Sequence, residues 1–479
     1  MNPRHTLLRV HCLRSMLVLT LAASADSVHA QLRLPSFNLP SASSIGGLDL
    51  DRADQRATAR VRARALPDVP DLRALRLNQV SELLRRHRDV LEADPRGAPA
   101  VRREIIAWAM SPAALALALA QGVRVERDSG GADQPGLAEL RTQVLRVPDG
   151  IETAAMLARL RALDPDGVYD FNHLYTGSGP VGTTAAVTSP TAKAAATAAS
   201  RGGPRLGLVD SGVDTSHAAF QGARIERWGC DGQPRPDAHG TAVAALMVGQ
   251  SGHFKGGAPL ADLYAADIYC DSPTGGSADK IAAALAWLAG EKVAVINLSL
   301  VGPPNGALER IVGALQQRGH LLVAAVGNDG PAAPPLYPAS YPGVVGVSAV
   351  DRNGRVLPEA ARGPQVMFAA PGNNMVSAAR GTPAFRPVRG TSFAAPLVAA
   401  LLAQSMTRPD QAQAAAAIAA LARQAVRAAP ATVSNETGYG IVGAALRVDP
   451  DRVDPDQLKP DRLDPDQLKP DRLAPASIR

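Results

Sequence analysis

From residue 205 onward, short apolar runs alternate with stretches that favour helices, and this pattern limits the fold more than any other feature. Strands that are buried on both faces of a parallel sheet read as nearly continuous apolar runs. The alternation therefore predicts an α/β domain with a doubly wound parallel sheet and helices on both faces. The apolar runs occupy residues 206–209, 263–268, 293–298, 321–326 and 344–347, and the helical stretches between them occupy 240–248, 278–289 and 306–318.

Polar residues follow these elements at positions where a parallel sheet places its functional groups. Asp210 ends the first apolar run, and Asn328 follows the fourth. Sites in open α/β sheets gather beyond the carboxyl ends of the strands. His239 opens a helical stretch, and Ser392 lies in a small-residue turn before an Ala-rich helix predicted over residues 397–406. A serine at a helix start is usually a plain N-cap, but Asp, His and Ser in this chain order match the order of the subtilisin triad.

The segments 206–212, 237–241, 323–328 and 390–396 together resemble the motifs of the subtilisin-like serine proteases, the subtilase family. The resemblance covers about residues 204–445. Two positions differ from the common pattern: Ala242 stands where many members have a second histidine, and Leu397 stands where many have a histidine after the proline. Neither difference removes a group that performs chemistry.

The resemblance implies a role for each motif. Ser392 would be the nucleophile, His239 the general base, and Asp210 the carboxylate that orients and stabilises the imidazolium. The side-chain amide of Asn328 and the backbone N–H of Ser392 would form the oxyanion hole. Asp214 and His217 lie near the first motif and are weaker candidates for the aspartate and the histidine of the triad.

The resemblance also implies where a substrate binds. Ser299, Leu300 and Val301 resemble the edge segment that pairs with the backbone of an extended protein or peptide substrate. Asp329 would either rim the pocket for the residue before the scissile bond or be a solvated loop residue. The sequence predicts no metal or cofactor in the chemistry, and it leaves a structural calcium open.

A catalytically silent subtilase fold that acts as a binding or regulatory module is the alternative. A silent relative usually lacks one member of the triad, whereas all three are present here. The net charge of +6 is mild for 479 residues, and basic residues are not interleaved with aromatic ones, so nucleic acid is not an expected partner.

Residues 1–30 resemble an export signal, with arginines, a short apolar run and small residues before the expected cleavage point. We therefore expect an exported protein, extracellular or periplasmic, monomeric and not inserted in a membrane. Two cysteines, Cys230 and Cys270, remain after removal of this segment. Cysteines in an oxidising compartment usually pair, and two free thiols are the alternative.

The remaining segments divide the chain further. Residues 31–100 read as a flexible leader with one amphipathic helix near 71–91, for which packing on the next domain is a better explanation than a membrane surface. Residues 101–176 show the order βαββαβ of a ferredoxin-like sandwich. In subtilases such a domain is often an inhibitory propeptide; an unrelated small α+β domain is the alternative. Residues 177–204 read as a flexible linker, 205–448 as the catalytic domain, and 449–479 as a disordered tail with a tandem repeat.

Overall fold

The computed structural model describes residues 72–129, 136–177, 203–252, 254–427 and 433–452. All of them belong to one contiguous folded unit. The predicted export signal lies outside the described residues, as do most of the leader, the linker and the repeat tail, and these segments stay predictions. None of the described helices combines the length and the apolarity that are needed to cross a membrane.

The first described part is a helix followed by a small α+β domain. Its elements are α1 (Leu72–Arg86), β1 (Leu91–Ala93), β2 (Pro99–Trp108), α2 (Pro112–Ala120), β3 (Arg124–Ser129), β4 (Thr142–Arg146), α3 (Thr153–Leu163) and β5 (Val168–His173).

Strand β2 is central in the sheet of this small domain. It pairs with β4 on one edge and with β5 on the other, β3 pairs with β4, and every pairing is antiparallel. This is the strand order of a ferredoxin-like sandwich. The start of α2 agrees with its sequence, because the Ser111 hydroxyl accepts a hydrogen bond from the N–H of Ala114 at 3.1 Å and Pro112 takes the first helical position.

The small domain begins earlier than residue 101. Strand β1 pairs with the first residues of β2, so residues 91–100, predicted as part of a flexible leader, form two paired strand segments and the turn between them. The predicted helix near 71–91 is present as α1, and it ends at Arg86. Its side chains Leu83 and Leu84 pack against buried Leu91. The sequence does not predict β1 because a strand of three residues carries almost no periodic signal.

The larger domain contains a short strand β6 (Thr176–Gly177) and then the predicted α/β alternation. Its elements are β7 (Arg205–Asp210), β8 (Ile225–Trp228), α4 (Ala238–Val248), β9 (Gln250–Ser251), β10 (Phe254–Lys255), β11 (Asp262–Asp267), α5 (Ala278–Gly290), β12 (Val295–Leu298), β13 (Leu300–Val301), α6 (Gly306–Gln317), β14 (Leu321–Ala325), β15 (Val345–Val350), β16 (Val366–Pro371), β17 (Met375–Ala378), β18 (Phe385–Val388), α7 (Thr391–Ala403) and α8 (Gln411–Gln424).

The predicted doubly wound parallel sheet is confirmed. Seven strands lie in the order β16-β15-β14-β12-β7-β11-β8, and all neighbours are parallel. Helices α4 and α7 share one buried apolar cluster on the sheet, and α5 and α6 share another. In α7 every residue except Leu401 is buried, so this helix runs through the core rather than over it.

The small domain packs on the face formed by α5 and α6. Ile106 of β2 and Leu140 belong to the same buried cluster as Ile281, Leu285 and Leu308 of these two helices. The contact therefore continues the apolar core of the larger domain into the small one.

Candidate active site

Asp210 is the last residue of β7, at the carboxyl end of the strand. Its side chain is buried, and its Oδ1 accepts a hydrogen bond from the backbone N–H of Ser211 at 2.7 Å. Parallel pairing sets it directly beside Asp267, the last residue of β11. The carboxylate thus lies at the edge of the sheet where the sequence predicted a site.

Helix α4 begins against the same strand end and carries His239 in its first turn. Asp237 is the N-cap, and its Oδ1 accepts a hydrogen bond from the backbone N–H of His239 at 2.8 Å. The Ser211 hydroxyl lies 2.8 Å from Asp237 Oδ1 and accepts a bond from the N–H of Gly240 at 3.0 Å. A Cβ on Gly240 would lie 2.1 Å from the carbonyl oxygen of Ser211, so the close approach of helix and strand requires glycine there.

Asp210 and His239 are hydrogen-bonded. The distance between His239 Nδ1 and Asp210 Oδ1 is 2.8 Å. Enclosure by protein lowers the pKa of His239, but the charge and hydrogen bond of Asp210 outweigh it, so the net pKa of His239 is raised above its ordinary value. The other ring nitrogen, Nε2, is buried and has no hydrogen-bond partner within the described ranges.

Ser392 lies inside helix α7, as its second residue, and not in a turn before the helix. The helix starts at Thr391, six residues before the predicted start at residue 397, and Pro396 lies inside it. A proline cannot donate the helical bond to the carbonyl four residues earlier, and that carbonyl belongs to Ser392. The hydroxyl of Ser299 donates to it instead, at 2.9 Å.

Asn328 lies against the start of the same helix. Its Oδ1 accepts a hydrogen bond from the backbone N–H of Thr391 at 3.1 Å. A Cβ on Gly390, whose φ is 131°, would lie 3.1 Å from Asn328 Nδ2. Both polar atoms of the Asn328 amide therefore lie close to the residues that precede Ser392.

The structure brings all the predicted site elements together. The ring of Phe393, next to Ser392, lies 5.4 Å from the imidazole of His239 between centroids. No hydrogen bond joins His239 Nε2 to Ser392. A cavity of about 200 Å³ opens beside Asp210 and His239, and Tyr269 and Gly177 are among the residues that line it.

The predicted substrate segment already holds a strand of this chain. Leu300 and Val301 form β13, which pairs antiparallel with β6, Leu300 opposite Gly177 and Val301 opposite Thr176. Ser299, the third predicted residue, contacts the Ser392 carbonyl as described above. Gly177 therefore belongs to a strand rather than to the start of the predicted linker.

Cys230 and Cys270 follow the ends of the adjacent strands β8 and β11, and their Cα atoms are 5.2 Å apart, within the range that a disulfide spans. Asp267 lies close enough to their sulfur atoms to complete a three-ligand cluster. Metal binding needs thiolates, and two cysteines that form a bridge carry none, so the predicted bridge and a metal at this cluster exclude each other.

The two weaker candidates for the triad, Asp214 and His217, have contacts outside the site. Asp214 accepts hydrogen bonds from the N–H and hydroxyl of Ser216, and His217 contacts the carbonyl of Ala384 at 2.7 Å. Sequence reasoning missed two supporting residues, Ser211 and Asp237. Asp237 carried a usable signal, since an aspartate two residues before the histidine is a typical N-cap.

A doubly wound parallel sheet with an aspartate and an asparagine beyond its strand ends, and with a histidine and a serine in the first turns of two helices, defines the subtilisin-like class of proteins. The sequence model of the subtilase family matches residues 201–440, half of the chain, and the chain belongs to this family.

Curated relatives agree with the family. The chain is 37% identical over 212 residues to subtilisin-like protease 1 of Trichophyton rubrum, covering 41% of this chain and 40% of the relative. It is 34% identical over 215 residues to a thermostable alkaline protease of Halalkalibacterium halodurans, covering 43% and 57%. It is 32% identical over 205 residues to thermitase of Thermoactinomyces vulgaris, covering 41% and 72%. The chain thus spans about half the length of the first relatives that it matches.

A solved structure has the same fold. Fervidolysin from Fervidobacterium pennivorans, described as a keratinolytic enzyme related to subtilisin, superposes with a TM-score of 0.58 at 19% identity. The match covers 74% of this chain and 62% of that chain. At this identity the likeness concerns the fold alone.

Proposed function

We propose that this protein is an exported serine endopeptidase, made as a zymogen that cuts itself. The observation that carries the proposal is the 2.8 Å bond between Asp210 and His239 beside the helix start that bears Ser392. Membership of the subtilase family supports the same activity.

In the proposed reaction, Ser392 Oγ attacks the carbonyl carbon of a peptide bond. His239 Nε2 takes the hydroxyl proton and later gives it to the leaving amine. Asp210 accepts the Nδ1–H bond, which fixes the tautomer that leaves Nε2 able to accept, and it stabilises the imidazolium. Asp210 raises the pKa of His239, as stabilisation of the imidazolium requires.

The tetrahedral intermediate carries a negative oxygen that needs fixed donors. We assign the side-chain N–H of Asn328 and the backbone N–H of Ser392. The bond from Thr391 N–H to Asn328 Oδ1 supports this assignment, because it fixes which side of the amide carries the donor. The proposed attack, proton transfers and stabilisation of the oxyanion use no metal or cofactor.

We propose that the small domain is the inhibitory propeptide and that β6 occupies the place of a substrate. A substrate strand would bind β13 through backbone hydrogen bonds, as β6 does. Gly177 ends β6 beside Asp210 and His239, so we place the self-cut within the first few residues after Gly177.

Charged contacts between the two domains support an inhibitory complex. Arg127 of the small domain contacts both Glu104 and Asp279, and the latter lies in helix α5. The buried amide of Asn172 donates to the same two carboxylates at 2.8 Å. Complementary charges across an interface favour one docked arrangement over others, as an inhibitory domain requires.

The test compares the purified full chain with its Ser392→Ala variant. The wild-type chain should yield a fragment whose new N-terminus falls shortly after residue 177, and Ser392→Ala should stay uncut. Ser405→Ala, an exposed serine just beyond the same helix, is the matched control and should be cut normally. Normal cutting of Ser392→Ala in a protease-free preparation would contradict self-processing.

A catalytically silent member of the family is the second candidate, and the missing bond between His239 Nε2 and Ser392 is the observation in its favour. Bonds of this kind are often long before a substrate binds and shorten in the complex. Hydrolysis of an unstructured protein by the cut wild-type chain, absent in Ser392→Ala, separates the two functions.

A further inference from the structure

We propose that helix α1 is a second inhibitory element, which uses Arg76 to fasten the strand in the cleft to the catalytic domain. This inference rests on the proposed function for its consequence, inhibition, but not for the contact itself. It assigns a regulatory role to a helix that lies outside the ferredoxin-like sandwich.

Arg76 joins two segments that must separate when the cleft opens. Its Nη1 donates a hydrogen bond to Thr176 Oγ1 in β6 at 2.8 Å. Its Nε lies 3.8 Å from Asp329 Oδ2, in the residue that follows the proposed oxyanion donor. Both charged side chains are about four-fifths buried, with 20% and 17% of their surface exposed, so solvent screens the pair only partly.

The helix is anchored at both ends. Near its C-terminus, Leu83 and Leu84 pack on the cluster formed by Leu91, Val101 and Leu174 of the small domain. At its N-terminus, Leu72 lies against Gly330 of the catalytic domain, where a glycine Cβ would be 3.7 Å from Leu72 Cδ1. The helix therefore spans from the small domain to the loop of Asn328.

The partly buried charge of Asp329 explains why the guanidinium of Arg76 is stabilising at this position. Burial raises the pKa of this carboxyl, and the guanidinium of Arg76 opposes that rise. A buried carboxylate beside the cleft is costly without a cationic neighbour, so Arg76 and Asp329 stabilise each other only while the helix is docked. When the backbone is cut after Gly177, β6 is held by its pairing with β13 and by the hydrogen bond from Arg76. Release of the strand then requires both contacts to break.

The first measurement follows the full chain through its own processing. A gel records when the chain is cut, and hydrolysis of a peptide substrate records when the cleft opens. The interval between the two should be about tenfold shorter in Arg76→Ala, the loss expected for one charge-assisted hydrogen bond. Arg73→Ala, which removes the same charge from an exposed position one turn away, should keep the wild-type interval.

Thr176→Val removes the acceptor and keeps the shape of the strand residue. It should shorten the interval as well, and the double variant with Arg76→Ala should be no faster than Arg76→Ala alone by more than about twofold. An unchanged interval in Arg76→Ala overturns the inhibitory role.

The second measurement does not need activity. In the Ser392→Ala chain, which stays uncut, backbone hydrogen exchange reports how often β6 leaves β13. Adding Arg76→Ala should speed exchange at residues 176, 177, 300 and 301 about tenfold, and adding Arg73→Ala should not. Equal exchange in both chains overturns the contact whether or not the protein is a protease; a wild-type chain that never becomes active counts against the proposed function alone.

Discussion

Ser299 supplies a hydrogen bond that the sequence of helix α7 makes necessary. Its hydroxyl accepts a bond from Asn297 Nδ2 and donates to the carbonyl of Ser392, each at 2.9 Å, and all three residues are buried. Pro396 stands where a residue with an N–H would otherwise donate to the same carbonyl. Ser299→Ala should therefore remove two buried hydrogen bonds, at a cost of about 2–3 kcal/mol in the free energy of unfolding.

The compensating change is Pro396→Ala, which restores an N–H at the helical position. In that background Ser299→Ala should cost about 1 kcal/mol less, because the new amide takes over one of the two lost bonds. All variants carry Ser392→Ala to prevent self-digestion, which leaves the carbonyl in place. A loss of 2–3 kcal/mol should lower the melting temperature by roughly 4–12 °C in a domain of this size.

The assay is thermal and urea unfolding of the four chains of this cycle. Ser340→Ala is the matched control, since the Ser340 hydroxyl also donates to a backbone carbonyl, at 2.7 Å, but outside the helix of Ser392. It should show the same cost with Pro396 and with Ala at that position. If Ser299→Ala also costs the same in both backgrounds, the explanation of this hydrogen bond by the proline is wrong.

Three further predictions concern the site. Asn328→Ala should lower kcat by about 10²–10³ with little change in KM; this figure is the general one for the oxyanion-hole asparagine of subtilisin and is not worked out from this structure, and an unchanged kcat would count against the assignment. Because Asp210 raises the pKa of His239, kcat/KM should rise with pH through a midpoint above about 6.5, and Asp210→Asn should move the midpoint down; a wild-type midpoint near pH 4 would exclude His239 as the base. Replacing both Cys230 and Cys270 by serine should destabilise the catalytic domain by up to about 4 kcal/mol, since a bridge would close a loop between positions 40 residues apart; two freely alkylatable thiols in folded, active protein would refute the bridge.

The central strands of the large sheet could be predicted because burial on both faces imposes a local pattern. Strand β14 is fully apolar, β12 is apolar except for Asn297, and β7 is apolar between its end residues Arg205 and Asp210. Each agrees with its predicted run within two residues. The edge strand β8 could not be predicted in this way, because it is only half-buried and contains Glu226 and Arg227. The opposite edge strand, β16, is apolar enough for the same rule, although the predicted apolar runs do not include it.

The boundary of α7 shows where local rules fail. Proline is favoured in the first turn of a helix and disfavoured in its interior, so local rules favour a helix that begins near Pro396, after Ser392. The structure accepts the proline inside the helix because Ser299, 93 residues away in the chain, supplies the missing donor. No local pattern contains that information.

The candidate site divides in the same way. Asp210, His239, Asn328 and Ser392 could be named from short motifs, since each motif carries its own chemistry. The pairing of Thr176 with Val301 and the contact of Arg76 with Asp329 could not, because both depend on how the small domain and α1 dock on the larger domain. Helix α1 exposes two leucines, Leu75 and Leu77, and its sequence pattern does not indicate which residue Arg76 contacts.

The most direct test of the proposed activity is covalent labelling with a fluorophosphonate serine probe after the chain has processed itself. An activated serine reacts with the probe, whereas an ordinary hydroxyl does not. Peptide mass spectrometry should find one adduct, on Ser392, and none in the heat-denatured chain or in His239→Ala. A folded, cut chain that takes up no probe, or that carries the adduct on another serine such as Ser211, would contradict the assignment of Ser392 as the nucleophile.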